Sequence, residues 1–563
     1  MLPHSGVSAS DVRGAGERRD SADIARLPVD IRRFPWIRRL AADYAYEYAR
    51  LAGFFAGNPS SPDAWRDAIG RTQRHVRDRD AIAQIVEAQQ RRRQAPPEAI
   101  GAAASLRDDT TVAVVTGQQA GLFGGPLFTL LKALTALSLA ARVRETHNVP
   151  AVAVFWVDAE DHDWDEVKSC SVLDADLIPR SVSAGTPPGA NTQPVARVAL
   201  DDAITTALAE LEAALPATEF TPQLLQTLRD AYRPGAGMAD AFAHWLEATL
   251  GPRGLIVYDA SDPAAKPLAA RVFVQELERA GDSSRLAAEA GTALEALGYH
   301  AQVTPQADGV SLFHLNDTRE PIRRGGDGFV VGERSVPREA MIEETRQHPE
   351  HCSPNVLLRP LVQDTLFPTV CYIAGPNELA YLAQLGRVYD AFGIPMPLIH
   401  PRASATIVDS NAMRFLQRND FPLESLRAQD EAALNALLES QLPPSIDASM
   451  ADAARAVEER MEQLAKHVAQ LDATLEGAAR STLSRMQDDL KKLHGKIIQA
   501  AKRKNETLRR QYQHAQAQAF PGGHPQERDV SAVYFLNKYG ATLVDTLSEE
   551  LPLDTGTHWV ATI

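Results

Sequence analysis

The hydrophobic pattern of the chain predicts a sheet of parallel strands separated by helices. Short apolar runs rich in β-branched residues begin near residues 112, 151, 254 and 369. Runs without polar alternation are typical of strands that are buried on both faces. Between the first two runs, Leu127 to Val143 is apolar almost all round, which predicts a helix inside the domain. Strand, helix and strand at this spacing indicate a right-handed βαβ unit and therefore an α/β fold.

A glycine-rich stretch, TGQQAGLFGGP from Thr116 to Pro126, connects the first strand to that helix. Glycines allow a tight turn and let a ligand approach the main chain. Pro126 fits the first helical position, and the N-terminus of a helix attracts anions. The spacing matches neither the G-x-G-x-x-G motif nor the P-loop. Two interpretations of this stretch therefore remain, an anion site and a purely structural turn. The glycines concerned are Gly117, Gly121, Gly124 and Gly125.

An acidic loop, DAEDHDWDE at 158–166, follows the second strand, AVAVFWV. Open α/β sheets bind ligands at the carboxyl ends of their strands, so this density of charge favours a site over a solvated loop. His162 is the candidate acid or base near neutral pH, with its pKa tuned by Asp161 or Asp163. No second His or Cys stands at a usual ligand spacing, so we expect no metal here.

The fourth strand repeats the arrangement of the first. Thr369 to Ala374 reads as a buried strand, Gly375 and Pro376 as a turn, and Asn377 to Phe392 as a helix. Glu378 in the first helical turn suits the helix dipole. Two such turns in one sheet predict a crevice at the carboxyl ends of the strands. The segments Gly117 to Gly125, Asp161 to Asp163 and Gly375 to Glu378 are expected to converge there.

The remaining segments suggest how the domains are organised. Residues 31–420 are expected to form the core, with insertions at about 170–250 and 275–360, and residues 1–30 a disordered leader. Within 421–520 a heptad seam slips near Gly477, which predicts an antiparallel hairpin of two helices turning near 472–474. This helical region is either a simple subdomain or a dimerisation arm. Residues 521–563 are expected to return to the core.

Composition narrows the class of protein. A chain of 563 residues is too long for one core, and 44% hydrophobic with 23% charged residues is ordinary for a globular protein. No membrane span is predicted, because Lys132 interrupts the best candidate. Three cysteines without a C-x-x-C pair favour a reducing cytoplasm. The net charge of −15 argues against nucleic acid as a partner.

Five blocks of sequence, taken together, resemble the bacillithiol biosynthesis cysteine-adding family (BshC). They are VVTGQQAGLFGGPLFTLLK, FWVDAEDHDWDEV, SPNVLLRPLVQDTLFPT, IAGPNELAYLAQL and HPQER…LNKYG. The resemblance covers most of the chain after about residue 30, with the blocks in the family's order. It implies a Rossmann-like parallel sheet core with two connecting insertions, and a C-terminal α-helical coiled-coil domain that pairs subunits into a homodimer. It also implies a ligase that adds L-cysteine to glucosaminyl-malate through an amide bond, in the last step of bacillithiol biosynthesis.

The resemblance suggests roles for individual residues. The glycine loop with Lys132 would hold the leaving anion, His162 would accept the amine proton, and Arg359 would pair a malate carboxylate. The other expected substrate contacts are Gly117, Gln118, Gln119, Gly121, Gly124, Gly125, Gly375, Asn377 and Glu378.

The cofactor is not identified by the sequence. ATP is a candidate activator, but the H-x-G-H and K-M-S-K-S signatures of nucleotidyl-transferring ligases are absent, and no metal site is evident. Two alternatives stay open: a non-catalytic protein that binds a sugar–thiol intermediate, and a coiled-coil scaffold with a purely structural sheet domain.

Overall fold

The structure is a computed structural model that describes residues 26–563 apart from residues 307, 317 and 442. Its strands are β1 (Arg26–Asp30), β2 (Val112–Gln119), β3 (Ala151–Asp158), β4 (Ser169–Leu173), β5 (Pro179–Ser183), β6 (Leu255–Asp259), β7 (Gly309–Leu315), β8 (Arg319–Gly325), β9 (Gly328–Val331), β10 (Arg334–Pro337), β11 (Cys352–Pro354), β12 (Thr369–Ala374), β13 (Leu398–Pro401), β14 (Ser404–Ile407) and β15 (Thr557–Ala561).

Its helices are α1 (Arg39–Tyr46), α2 (Pro62–Arg74), α3 (Arg79–Arg92), α4 (Pro97–Ala104), α5 (Leu127–His147), α6 (Trp164–Val167), α7 (Ala203–Ala214), α8 (Thr221–Ala231), α9 (Met238–Leu250), α10 (Lys266–Glu278), α11 (Asp282–Ala296), α12 (Arg338–Gln347), α13 (Arg359–Leu366), α14 (Pro376–Leu382), α15 (Gly386–Phe392), α16 (Ser410–Arg418), α17 (Ala432–Ser440), α18 (Pro444–Leu471), α19 (Thr474–Lys504), α20 (Glu506–Ala519), α21 (Gln526–Asp529), α22 (Ala532–Tyr539) and α23 (Thr542–Glu550).

The central sheet is parallel and has the strand order β13-β12-β2-β3-β6. The four predicted strands therefore lie in one sheet, which confirms the α/β fold. Along β2, Val112 and Val114 join the hydrophobic cluster on one face, whereas Ala113 and Val115 join the cluster on the other. Because side chains alternate across a strand, burial of both faces produces the uninterrupted apolar runs in the sequence.

Two helix predictions need correction. Pro126 precedes α5 as its N-cap, with φ −64° and ψ 158°, instead of occupying the first helical position. The single helix expected from Asn377 to Phe392 is split into α14 and α15. The side chain of Gln384, between the two helices, is buried and bonds the backbone N–H groups of Gln302 and Val303 in the second insertion. Tertiary contacts therefore override the helical pattern at this point.

The segments between the core strands form two further layers. In the first, β4 and β5 make an antiparallel hairpin beside α7 to α9, and α9 packs on β6. In the second, an antiparallel sheet with the order β10-β9-β8-β7-β11 packs with α10, α11 and α12. The helical segment after β6 is divided into α10 and α11, because Gly281 adopts a left-handed φ of 94° between them.

The two ends of the described chain meet in a small third sheet. Strand β15 pairs antiparallel with β1 and parallel with β14. Residues 26–30 are therefore a strand, which corrects that part of the predicted leader, and residues 1–25 lie outside the described part of the chain.

The long helices α18 and α19 pack as a hairpin that turns at Asp472 and Ala473, as the heptad slip predicts. Among the described residues, no helix is long and apolar enough to cross a membrane.

Candidate functional site

A cavity of about 510 Å³ lies at the carboxyl ends of β2, β3 and β12. This volume lies within the range of small-molecule sites, and the position is where open α/β sheets bind ligands. Much of the predicted crevice comes together here. The predicted site residues that line the cavity are Gly117, Gln118, Gln119, Lys132, Asp161, Arg359, Gly375, Asn377 and Glu378.

Lys132 of α5 connects β2 to α14 at the cavity. Its Nζ atom lies 2.8 Å from the carbonyl oxygen of Gly117 and 2.5 Å from Oε2 of Glu378. Burial lowers the pKa of Lys132, and the negative charge of Glu378 opposes that shift. Glu378 in turn accepts hydrogen bonds from the N–H of Gly375 and the hydroxyl of Tyr372, at 2.7 Å each. The ammonium group is thus held by the protein at the floor of the cavity.

The acidic loop contributes Asp158 and Asp161 to the cavity. Asp158 forms an ion pair with Arg359, so the guanidinium expected to meet a malate carboxylate already has a partner within the chain. Asp161 accepts a hydrogen bond of 3.3 Å from Nε2 of Gln119 and lies 3.6 Å from Arg319. The chain itself therefore balances most of the charge at this side of the cavity.

His162 and Asp163 do not line the cavity. The side chain of His162 is 49% exposed, and its Nδ1 lies 3.3 Å from Asp161. Asp163 instead caps the short helix α6, because its carboxylate accepts the N–H of Glu166 at 3.1 Å. Asp161 is thus the member of the predicted catalytic set that faces the cavity directly.

Glu166 lines the cavity and was not among the predicted site residues. Its side chain remains exposed to solvent. Partial desolvation raises its pKa, and the nearby carboxylate of Asp163 adds to the shift. The sequence signal was present, since Glu166 ends the acidic run. The sequence did not indicate that the turn of α6 directs Glu166 toward the cavity.

The second half of the glycine loop is structural. Gly121, Gly124 and Gly125 do not line the cavity, which corrects their expected role in binding substrate. Gly124 has φ 86°, and a Cβ atom there would lie 2.2 Å from the ring of Trp245. Its N–H donates to the hydroxyl of Tyr232 at 3.1 Å. The first insertion therefore packs against the loop where a ligand was expected.

The N-terminus of α5 is also covered. The N–H of Leu127 donates to the carbonyl of Val530 at 2.8 Å, and Pro126 forms an isolated β-bridge with Ser531. The C-terminal segment thus occupies the position where the sequence suggested an anion.

Two arginines that the sequence analysis did not select lie at another part of the cavity. Their guanidinium carbons lie 5.5 Å (Arg402) and 5.7 Å (Arg528) from the ring centre of Phe128. Arg402 is buried and makes a bidentate pair with Glu527, with distances of 2.7 and 2.9 Å. Arg528 is exposed and has no ion pair among the described residues. It is therefore a cation available to a ligand.

Two polar atoms of the cavity lining are buried without a hydrogen-bond partner among the described residues. They are Oε1 of Gln119, an acceptor, and Nε1 of Trp156, a donor. Most buried polar groups in proteins are hydrogen-bonded, because an unmade bond costs free energy. A bound molecule with a donor and an acceptor would satisfy both.

These features define an α/β protein with a polar small-molecule site at the carboxyl ends of a Rossmann-like sheet, joined to a helical coiled-coil domain. The model for "Bacillithiol biosynthesis BshC, N-terminal Rossmann-like domain" matches residues 27–403, and that for "Bacillithiol biosynthesis BshC, C-terminal coiled-coil domain" matches residues 405–563. The chain belongs to the bacillithiol biosynthesis BshC family.

Curated relatives extend over nearly the whole chain. A protein of Salinibacter ruber is 34% identical over 532 residues, which are 92% of this chain and 95% of the relative. A protein of Koribacter versatilis is 34% identical over 517 residues, covering 91% and 95% of the two chains. A third, from Solibacter usitatus, is 30% identical over 532 residues, covering 94% and 98%. Each of these proteins bears the name "Putative cysteine ligase BshC".

Proposed function

We propose that this protein is a ligase that joins L-cysteine to glucosaminyl-malate through an amide bond, in the last step of bacillithiol biosynthesis. The names of its relatives support a cysteine ligase. The observation that carries the proposal is that one cavity presents carboxylates and cations together, at Asp161, Glu166, Lys132 and Arg528. An amino sugar joined to malate carries an amine and carboxylates, and both kinds of group have counterparts in this cavity.

Amide formation requires that the amine nitrogen attack an activated carboxyl carbon. The new C–N bond forms as the activating group leaves with its electron pair, and the amine proton passes to a base. Glu166 is our candidate base, because its carboxylate lines the cavity and its raised pKa brings it nearer to neutral pH. The sequence suggested His162 as the base, and this role remains a prediction. Asp161 lines the cavity, whereas His162 contacts Asp161 from outside it.

The cations have separate roles in this proposal. Arg528 is free to pair a malate carboxylate, the role first expected of Arg359. Lys132 is buried beside Gly117 and supplies positive charge where the activating group would leave. Gln119 and Trp156 offer an acceptor and a donor to the polar groups of the substrate.

The experiment is a turnover assay on the purified protein. The protein is incubated with glucosaminyl-malate, L-cysteine and ATP, and mass spectrometry follows the mass of the amide product. Omitting each reactant in turn serves as the control. Analysis of the spent nucleotide separates ADP from AMP, and so identifies how the carboxyl group is activated. Binding of glucosaminyl-malate without product, under every nucleotide tested, would favour the alternative of a non-catalytic binding protein.

We also infer that two copies of the chain associate through α18 and α19. Several large apolar side chains on these helices remain exposed in the single chain, including Leu464 at 47% and Leu471 at 85%. Exposed apolar side chains that recur at heptad spacing along a helix are typical of a surface that packs against another helix. Because the heptad pattern leaves apolar positions uncovered after the hairpin has formed, a second hairpin is the expected partner.

A further inference from the structure

We propose a divalent transition-metal site, with zinc as the preferred ion, formed by His314, Glu344 and His351 in the second insertion. The ligand atoms of the three side chains all lie within 4.8 Å of one another. Two imidazoles and one carboxylate are a known zinc ligand set, in which water takes the fourth position. The site is separate from the ligand cavity and does not depend on the proposed ligase activity.

The distances suit a small ion. Nε2 of His314 lies 2.9 Å from Oε1 of Glu344, and Nδ1 of His351 lies 3.4 Å from the same oxygen. Two ligands that each lie about 2.1 Å from a tetrahedral ion are separated by roughly 3.4 Å. Small side-chain rotations therefore bring all three atoms into a zinc coordination sphere.

Burial supplies an independent argument. The side chain of His314 is 5% exposed, and its Nδ1 is buried without a hydrogen-bond partner among the described residues. The ring of His314 therefore makes its polar contact in the cluster through Nε2, to Glu344. Burying a polar ring costs free energy, and a cation at Nε2 would strengthen the one polar contact that the described residues make with this ring, while Nδ1 would remain unpartnered. Glu344 and His351 are 36% and 39% exposed, so an ion can enter from solvent.

A neighbouring trio, His348, Glu350 and His351, fits less well. Its residues come from one short segment, and His348 and Glu350 are 53% and 39% exposed. No buried side chain anchors that trio. His348 instead stacks on the ring of His351, with 5.3 Å between ring centres, and so supports the orientation of one ligand.

The position of the site suggests what the ion does. His314 on β7 faces Cys352 on β11, and consecutive residues of a strand point to opposite faces. Phe313, on the other face, lines the ligand cavity. An ion that links β7, α12 and the turn before β11 would therefore hold the cavity wall at Phe313 from behind.

The test uses the full chain, stripped with EDTA, desalted and titrated with cobalt(II) chloride. The expected result is one cobalt ion per chain, with the visible absorption of a tetrahedral complex that zinc chloride then abolishes. His351→Ala and Glu344→Gln are each expected to weaken binding by at least about tenfold. These residues are partly exposed, so the variants should fold, which circular dichroism checks. His300→Ala, an exposed histidine outside the cluster, is the matched control and should bind as the natural chain does.

Thermal unfolding gives a second measurement that needs no activity assay. Because an ion that binds the folded chain stabilises it, zinc should raise the melting temperature of the natural chain and of His300→Ala. It should not raise that of His351→Ala. The proposal is overturned if saturating cobalt produces no tetrahedral absorption, or if His351→Ala and Glu344→Gln bind cobalt as tightly as the natural chain.

Discussion

The ammonium group of Lys132 and the carboxylate of Glu378 lie 2.5 Å apart, and they join α5, the helix that follows β2, to α14, the helix that follows β12. Lys132 is 2% exposed and Glu378 is 21% exposed at the side chain. Each charged group can therefore be held away from solvent because the opposite charge lies beside it. Removing one partner of a buried pair is costlier than removing both, since the remaining charge stays desolvated.

This pair gives the first prediction. We expect Lys132→Met to lower the free energy of unfolding by about 3–5 kcal/mol, because it leaves Glu378 without its cation. The double variant Lys132→Met with Glu378→Gln should recover most of that loss. Urea denaturation of the two single variants and the double variant measures the coupling. A double variant whose loss equals the sum of the two single losses would show that the pair is not coupled in this way.

The second prediction separates Glu166 from His162. Glu166→Gln keeps the size of the side chain but cannot accept a proton, so turnover should fall by roughly 10²–10⁴. His162→Gln, which keeps hydrogen bonding, should retain most of its turnover. Rates of amide formation for both variants measure this. The opposite ranking would restore the imidazole as the base.

A pH profile tests the same assignment. A carboxylate acts as a base only when it is deprotonated, and the pKa of Glu166 is raised. Turnover should therefore fall as the pH drops through that raised pKa, at a higher pH than for an ordinary glutamate near about 4.3. In Asp163→Asn a neighbouring negative charge is lost, and the acid limb should move to lower pH. An acid limb that does not move would contradict the role of Glu166.

Arg528 gives a prediction about substrate affinity. Charge-assisted hydrogen bonds contribute about 1.5–3 kcal/mol, so Arg528→Ala should raise KM for glucosaminyl-malate roughly 10- to 100-fold. The KM for cysteine should change little, because this cation is assigned to the malate carboxylate. Arg418→Ala, an exposed arginine at the end of α16, is the control. Equal changes in both KM values would argue against a specific contact.

The coiled-coil helices give a prediction about assembly. Leu464→Glu with Leu471→Glu places charges at two exposed apolar positions and should convert a dimer into monomers. Deleting residues 445–518 is a harsher change, because it also removes Tyr512 of α20, whose buried ring packs against Phe415 of α16. Light scattering at micromolar concentration measures the mass, and Leu297→Glu, an exposed leucine outside these helices, is the control. A natural chain that is already monomeric under these conditions would refute the dimer.

Acid stability depends on Glu527. Burial alone would raise its pKa, but the positive charge of Arg402 prevails and lowers the pKa to about 2. The pair therefore stabilises the fold fully above the pKa of an unfolded glutamate, near about 4.3, and this stability is lost as the pH falls toward 2. Glu527→Gln should unfold more easily at pH 7 and show a flatter pH dependence over that window. Urea midpoints at several pH values measure both effects.

The features that could be predicted from the sequence are those that a local pattern of residues determines. The strands were readable because a strand buried on both faces is apolar at every position, as from Val112 to Val115. The turn at Asp472 was readable because a heptad slip has a local signature. Gln118, Lys132 and Glu378 were predicted to lie near one another because they follow parallel strands of one sheet.

The errors came from contacts between distant segments. Gly124 was assigned to the ligand, but Trp245 of the first insertion packs against it. Arg359 was assigned to a malate carboxylate, but it pairs with Asp158 across 201 residues of sequence. The cluster of His314 and His351 could not be predicted from the sequence. Its members share no spacing motif, and they meet only when β7 pairs with β11. Such partners depend on the packing of whole insertions, which periodicity does not report.

The small sheet at the ends of the described chain has a consequence for synthesis. Strand β1 has its partner β15 at the far end of the described chain, so a ribosome exposes β1 long before a strand exists to pair with it. Val530 and Glu527, which cover α5 and hold Arg402, are made equally late. The central sheet can therefore assemble early, while the wall of the cavity near Arg402 is completed late in translation. We therefore expect the ligand cavity to be complete only after residues 527–530 have been made.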